Sequence, residues 1–467
     1  MGLYRAEDNS LHILYKPLFQ KPIEPPMKNW IQQNQIINVE CIVPDLAGAA
    51  RGKVVPASKI IENAELRLPQ SIFLQGVNGH YPELSKEKLP CDDDMLLVAD
   101  AATIRHLPWA ETPTAQVIHD CVDKAGNQIT FSPRYVLRKV LDLYHAEGWK
   151  PVIAPELEFY LVAANPDPTQ PLTAPFDRTG RTEKEGQSYS LEALHEFSAL
   201  YKTLDQYCTA QGLKIDGLIH EEGIAQMEIN LLHGDPLELA DQTFLYKRTI
   251  REAAFAHGLC ATFMAKPLEG QPGNAMHIHQ SIVDIETGKN LFSTPDGKPN
   301  DLLLSHIAGL QKYQPKAMAL VTPTINSYRR IVRDMAAPIN FHWGFDNRTT
   351  GFRIPDNKPN SMRIENRLSA ADVNPYIAIA TSLACGFMGM KQGLKPSEPL
   401  LGNAYDEPLQ VSRDWYGALD RLSDCRALND ILGEAFIEVY TAVKETEFDD
   451  FLNQVTPWER EHLLSKV

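Results

Sequence analysis

From Ile37 to Pro56 the chain reads INVECIVPDLAGAARGKVVP, apolar and polar residues alternating before breaks at Gly48 and Gly52. Period-two patterning predicts a strand, a turn and a second strand. Two more strand-like runs follow, SIFLQGVNG from Ser71 and the acid-flanked DMLLVAD from Asp94. The period then changes. In SPRYVLRKVLDLYHAEG, Ser132–Gly148, apolar residues fall at helical spacing, with Ser132 as a cap, Pro133 in the first turn and Gly148 as a stop. Farther on, short strands alternate with helices, as in SLEALHEFSALYKTLDQYCTAQG from Ser190. Residues 165–190, rich in Pro, Thr and Gly and without periodicity, read as a surface excursion rather than a domain boundary. The most apolar stretch, YIAIATSLACGFMGM from Tyr376, begins after Pro375 and falls short of the roughly 18 residues that span a bilayer, so a buried helix is expected. The chain divides accordingly into a leader over 1–26, a small β-rich domain over 27–112 and a larger domain over 113–467.

Size and charge narrow the function. At 467 residues, 43% hydrophobic, the chain can build more than one domain. Its 45 Lys and Arg against 60 Asp and Glu give a net charge of -15, which argues against nucleic acid or an anionic membrane as partner and mildly favours a cationic substrate. Seven scattered cysteines, none in a C-x-x-C arrangement, argue against a disulfide framework or a zinc-thiolate site and for a reducing, cytoplasmic setting. The first residues carry no sustained apolar run before a small-residue cleavage site, and Ala6 stands where an acylation signal wants Ser or Thr, so secretion and lipid anchoring are not expected.

Within the strand-like segments, acids and imidazoles repeat at spacing two. Glu156 and Glu158 in APELEFYL would share one strand face with Ala154 and Tyr160, while Leu157 and Phe159 pack behind. In HEEGIAQMEIN, Glu228 shares a face with Gln226 and Asn230, and Glu221 precedes the turn at Gly223. His277 and His279 in GNAMHIHQS point one way, and Arg363, Glu365 and Arg367 alternate in SMRIENRLSAADVNPY. Several carboxylates with an imidazole and no thiolate suit Mg²⁺ or Mn²⁺, and the number of acids suggests more than one ion. Arg329, Arg330, Arg333, Arg348, Arg353, Arg363 and Arg367 crowd near Glu365. Metals beside guanidinium groups point to phosphoryl transfer. Neither a P-loop nor a G-x-G-x-x-G motif occurs, so metals and side chains would have to hold the nucleotide.

Taken in order, PELEFYL, HEEGIAQMEIN, KPLEGQPGNAMHIHQS, NSYRR, NRTTGFRIP and MRIENRLSAADVNPY resemble the signatures of the glutamine synthetase family, with similarity from about Cys41 to the end of the chain. DLAGAARGKVVP, ATFMAKP and NSYRR resemble most its γ-glutamylamine branch. The resemblance implies an α+β fold. A small β-grasp-like N-terminal domain would precede a larger catalytic domain whose antiparallel, metal-lined sheet is flanked by helices. It implies a dodecamer of two stacked hexameric rings with sites between subunits, and ATP and two or more Mg²⁺ or Mn²⁺ ions as cofactors. Glu158, Glu221 and Glu228 match the ligands of one metal, and Glu156, His277 and Glu365 those of another. His279 and Ser281 match nucleotide contacts. Gly273, Arg330 and Arg367 match the glutamate site, and Arg348, Arg353 and Arg363 match the groups that steady ATP and the transferred phosphoryl.

The implied activity is phosphorylation of glutamate's side-chain carboxylate followed by displacement of phosphate by an amine. Two departures bear on which amine. Ammonia-forming relatives carry a glutamate where Ala336 stands in VRDMAAPI, and an ammonium-binding aspartate where this chain has QGVNGHYP from Gln75. Loss of two anions weakens a site for a small cation and clears space, so a larger primary amine is expected: a polyamine such as putrescine, spermidine or spermine, or a monoamine. Glu221, Asp334 or an acid of a neighbouring subunit could deprotonate it. The alternatives are a true glutamine synthetase and a catalytically inactive structural member. Tyr405 in GNAYDEP, at the place of a tyrosine modified in some relatives, is expected to be a plain surface residue.

Overall fold

The alternation after Ile37 becomes a hairpin in the computed structural model, which describes residues 25–355 and 358–467. Strands β1 (Asn38–Pro44) and β2 (Ala50–Pro56) pair antiparallel, with Gly48 in a left-handed conformation, φ 77°, at the turn. Gly52 lies within β2 rather than ending it, and a Cβ there would stand 1.9 Å from the Cys41 carbonyl oxygen. β3 (Arg67–Pro69), β4 (Asp94–Ala99), β5 (Arg105–His106) and β6 (Thr114–Val122) complete a first sheet in the order β2-β1-β6-β4-β3, with β5 also on β6. β6 runs parallel to β1, so this sheet continues past residue 112. The expected leader lies outside the described residues except for Pro25 and Pro26, which begin a helix ending at Gln33. SIFLQGVNG does not form a strand. Gln70–Leu74 is a 3₁₀ turn, which carries Phe73 and Leu74 into the apolar core that joins the two domains.

The second sheet carries β7 (Trp149–Ala163), β8 (Ile215–His220), β9 (Gln226–Leu231), β10 (Leu259–Thr262), β11 (Met276–Asp284), β12 (Trp343–Phe345), β13 (Phe352–Ile354) and β14 (Ile364–Asn366). The order is β12-β13-β14-β11-β7-β9-β8, with β10 also on β7. It is antiparallel apart from one parallel pair, β12 with β13, so the sheet is mixed rather than wholly antiparallel. Helices Pro133–Ala146, Pro236–Phe255, Asp301–Tyr313 and Pro375–Gln392 pack behind it. Ser132 sits at the first helix's N-cap position without a side-chain capping bond, and Pro133, its φ fixed by the ring, begins the helix. The helix after Pro375 is buried from Pro375 to Met390, capped by Asn374, and ends at left-handed Gly393. No helix among the described residues is long and apolar enough to cross a membrane.

One apolar cluster runs through both domains, joining Ile42, Phe73 and Ile118 to Leu157, Phe159 and Ile379. A smaller one, with Met27, Ile31, Val39 and Val117, fills the far face of the first sheet. Buried Arg134 ties the domains together by bonding Asp100 and Asp120 at 2.6 Å each and Asp241 at 2.9 Å.

Candidate active site

Alternation along β7 turns Ile153, Leu157 and Phe159 into the core and leaves Ala154, Glu156 and Glu158 on the opposite face. Register then gathers distant segments onto that face. Glu158 stands directly opposite Glu228 of β9, and Glu156 stands between Asn230 of β9 and His277 of β11. His279 stands opposite Glu365 of β14, which stands opposite Arg353 of β13. Partners across an antiparallel pair project to the same side. Their face floors a cavity of about 1690 Å³. Every residue expected in the site lines it except Glu365, which is 1% exposed and lies just beneath.

The cavity has two ends. Ser281 pairs with Val152, and Arg363 immediately precedes the partner of Gln280. At the other end Glu158 accepts the Ala275 amide at 2.6 Å, and Gln226 Nε2 bridges to the Gly273 carbonyl at 3.1 Å. From Val152 to Glu158 the extended strand covers about 20 Å, room for a nucleoside triphosphate followed by an amino acid. Gly273 is required at its place, since a Cβ would come 2.5 Å from the Ala265 carbonyl and 2.6 Å from Arg330 Cγ.

The imidazoles differ in role. His279 Nδ1 accepts from Arg363 Nε at 3.1 Å, so its proton lies on Nε2, which donates to Glu156 Oε1 at 2.9 Å. His277 Nδ1 faces Glu156 Oε2 at 3.4 Å and Glu365 Oε1 at 3.7 Å. Its Nε2 is buried with no hydrogen-bond partner, 4.0 Å from Glu158 Oε1. Burial, aided by Arg367, pushes the His277 pKa down to about 4, keeping the ring neutral.

The arginines brace one another. Arg367 Nη1 donates to Glu365 Oε1 at 2.5 Å and Arg353 Nη1 to Glu365 Oε2 at 3.0 Å. Arg330 is anchored through the Leu368 and Arg367 carbonyls at 3.2 and 3.1 Å. Arg348 lines the cavity from an exposed position. Arg329 and Arg333 are exposed and do not line it. Arg333 instead bonds the carbonyls of Tyr405 and Glu407.

Two groups of side chains could each hold a cation: Glu156, His277 and Glu365, and Glu158, Glu228 and His277, with ligand atoms within 4.8 Å of one another. Glu221, expected beside Glu158 and Glu228, lines the cavity from the turn after β8 and stands outside that second group. The donor set suits a hard divalent ion. Burial and the neighbouring Glu221 carboxylate hold Glu158 well above the ordinary carboxylate range, and burial with Glu156, Glu158 and Glu221 does the same to Glu228. Facing acids that resist ionising, beside an orphaned imidazole nitrogen, are what a cation of charge two would relieve. Burial opposes the ionisation of Glu365, but opposing charge, that of Arg367 foremost, outweighs it and brings its carboxyl down to about 2. Burial is likewise overcome at Glu156, where hydrogen bonds to His277 and His279 hold the carboxyl far below its usual value.

A pH dependence follows with a definite sign. The folded pKa values of Glu158 and Glu228 lie above their unfolded values, so their contribution to stability is fully present below the unfolded value and is lost as pH rises through the folded one. Cation-free protein is expected to melt at a lower temperature near pH 9 than near pH 6. Mg²⁺ or Mn²⁺ is expected to raise Tm by about 5 °C more at the higher pH. Thermal unfolding in chelator and in cation checks this, and a cation effect independent of pH would remove these acids from the ligand set.

Several cavity residues carry no sequence signal of their own. Ser188 and Tyr189 close one wall, so the 165–190 excursion contributes its last residues to the site. Glu222 also lines the cavity. Tyr405 is half-buried and lines the cavity, in contrast to the expected surface tyrosine, and its carbonyl accepts from Arg333.

Comparison with known proteins agrees with this geometry. Residues 130–463 match the family model of the glutamine synthetase catalytic domain. The chain belongs to the glutamine synthetase family. Among curated glutamine synthetase relatives, the glutamate–isopropylamine ligase of a Pseudomonas species is 31% identical over 93% of this chain and 96% of its own length. The γ-glutamylputrescine synthetase of Escherichia coli is 33% identical over 92% of each chain. A glutamine synthetase of Methanosarcina mazei is 32% identical over 80% of this chain and 85% of its own. Solved structures of GmaS without ligand and in complex with ADP each superpose with a TM-score of 0.80 over 94% of this chain and 99% of theirs, at 28% and 26% identity.

Proposed function

We propose that this glutamine synthetase family member is an ATP-dependent ligase that joins the γ-carboxylate of glutamate to a primary amine through γ-glutamyl phosphate. One observation carries the reading. Acid and imidazole side chains from three strands, with Glu365 of a fourth just beneath them, share one cavity about 20 Å long with five arginines. Arg330, Arg367 and the Gly273 backbone would hold glutamate at the Glu158 end, while His279, Ser281, Arg348, Arg353 and Arg363 would hold the nucleotide and the moving phosphoryl. When bound, two or more Mg²⁺ or Mn²⁺ ions held by Glu156, Glu158, Glu221, Glu228, His277 and Glu365 would offset the negative charge of the phosphates. Glutamate's carboxylate oxygen takes the terminal phosphoryl of ATP, releasing ADP. The ammonium group of the amine first gives one proton to a nearby carboxylate, for which Glu221 lines the cavity. The freed nitrogen lone pair then forms the C–N bond as the C–O bond to phosphate breaks, and the nitrogen's second proton passes to the departing phosphate or to solvent.

A primary amine rather than ammonia is supported by Ala336, which lines the cavity with a methyl group at the place the resemblance assigns to a carboxylate. Relatives that act on isopropylamine and putrescine agree with it. The expected result is phosphate release with a primary alkylamine or polyamine at least tenfold faster, per unit kcat/KM, than with ammonium. A preference for ammonium would make the protein a glutamine synthetase instead. A homo-oligomer of two hexameric rings, with sites completed by neighbouring subunits, goes with this reading, and the sedimented mass of the active species measures it. The seven unpaired cysteines support a cytoplasmic setting, which fractionation of the cell of origin tests.

A further inference from the structure

Primary alkylamines ionise with pKa values near ~10, so the nucleophile reaches the enzyme as a cation. The glutamate end of the cavity is itself cationic. Arg330 and Arg367 both line it there, and Arg367, 7% exposed, keeps a buried Nε without a hydrogen-bond partner. An ammonium group brought beside those guanidiniums requires a negative charge of its own.

Of the floor acids, Glu156 and Glu365 are engaged with imidazoles and arginines, and the ligase reading assigns Glu158, Glu221 and Glu228 to cations. Of the described residues lining the cavity, the remaining acids are Asp216, Glu222 and Asp334. Asp216 sits on the edge strand β8 beside Asn230 and Leu231, away from the glutamate end. Glu222 and Asp334 line the same cavity as Tyr405, Arg330 and Arg367. Burial raises the pKa of the Tyr405 phenol, Arg367 and Arg330 oppose the rise, and the carboxylates of Asp334 and Glu222 add to it.

Asp334 has the more specific presentation. It and Ala336 both hold left-handed backbone conformations, φ 57° and 59°, which cost of order 1 kcal/mol each outside glycine and persist only where the surroundings enforce them. The enforcement is visible in Arg333, whose guanidinium bonds the carbonyl oxygens of Tyr405 and Glu407 and fixes the turn against the wall carrying Tyr405. Asp334 is thereby the acid that this turn shows to the cavity, while Ala336 beside it leaves an apolar wall with the Tyr405 ring.

We propose that Asp334 is the carboxylate that receives the substrate's ammonium group, setting the amine beside glutamate held by Arg330 and Arg367, with the carbon chain against Ala336 and Tyr405. This rests on the ligase reading above and deepens it, by assigning amine recognition to a residue of this chain's own turn.

The test compares Asp334→Asn with wild type, since asparagine tolerates the left-handed conformation as aspartate does and removes only the charge. Each enzyme is assayed with glutamate, ATP and either a primary alkylamine or hydroxylamine, which is largely neutral near pH 7 and needs no counter-charge. The variant is expected to raise KM for the alkylamine about tenfold or more, with KM for glutamate and ATP within about threefold and hydroxamate formation within about threefold. An unchanged KM for the alkylamine would overturn the proposal. So would an equal loss with both nucleophiles, which would make Asp334 a shaping residue of the turn. If wild type makes hydroxamate but no amide from any alkylamine, the ligase reading falls first and this assignment with it.

Discussion

Replacing Glu365 with glutamine is expected to lower kcat/KM for ligation about 10³-fold or more while the protein stays folded. The side chain is 1% exposed, and its two oxygens accept from Arg367 Nη1 at 2.5 Å and Arg353 Nη1 at 3.0 Å. A neutral amide presents an N–H to one of the two guanidiniums, which then lies buried and unpaired at a cost of about 3–5 kcal/mol. The nearby His277 nitrogen, 3.7 Å from Glu365 Oε1, loses the anion that orients it. A loss of about 4 kcal/mol in transition-state stabilisation corresponds to the stated factor. Arg367→Ala is expected to be as severe for the reciprocal reason, leaving the Glu365 carboxylate short of its nearest cation. Pairing Glu365→Gln with Arg367→Gln removes the unmatched charge, so the double variant is expected to regain Tm relative to the worse single variant and to regain no activity. Phosphate release and thermal unfolding, measured on all three, separate the two effects. Near-wild-type turnover in Glu365→Gln would detach this residue from the chemistry.

What the sequence makes legible is what period two can encode. Glu156 and Glu158, or His277 and His279, announce a shared face by spacing alone, and the structure places each pair so. Which pair meets which is a matter of register between strands far apart in sequence, 70 residues for Glu158 with Glu228 at one end and 86 for Glu365 with His279 at the other. No local pattern specifies that, and the family resemblance supplied it instead. Tyr405, Ser188 and Tyr189 escape for a different reason. They sit on loops whose position is set by tertiary bonds, such as Arg333 to the Tyr405 carbonyl and the Tyr189 amide to the His220 carbonyl at 2.8 Å. Of the crowded arginines, density alone cannot separate Arg330, which turns inward, from its neighbour Arg329, which turns out.

The same partition shows in the fold. The hairpin after Ile37 and the helices beginning at Pro133 and Pro375 follow from alternation and from proline chemistry. SIFLQGVNG failed because a run of four apolar or small residues fits a tight turn as well as a strand, and the choice is made by what Phe73 and Leu74 pack against. Local patterns thus determine elements, whereas the site depends on how elements stack. For this reason the decisive tests act on pairs of residues remote in sequence.

Glu228→Gln provides such a test, with opposite signs for stability and activity. Glu228 is buried directly across from Glu158, and its carboxyl is held above the ordinary range by burial and by three neighbouring acids. Asn230 Nδ2, at 2.9 Å from Glu228 Oε1, is the side-chain donor it has. In the absence of a cation, an amide of the same shape avoids burying a charge. The variant is therefore expected to be more stable than wild type in chelator by about 1–3 kcal/mol, with a gain that grows as pH rises and the wild-type carboxyl is forced to ionise. In Mg²⁺ the order reverses, because the variant lacks a ligand that the cation would use, and its cation-induced rise in Tm shrinks. Ligation is expected to fall about 10³-fold or more, as the phosphates lose a positioned charge. Such a trade of function against stability is diagnostic of a carboxylate kept for a cation. A variant that is less stable than wild type in chelator, yet equally stabilised by Mg²⁺, would instead make Glu228 a structural partner of Asn230 and leave the second cation with Glu158 and His277 alone.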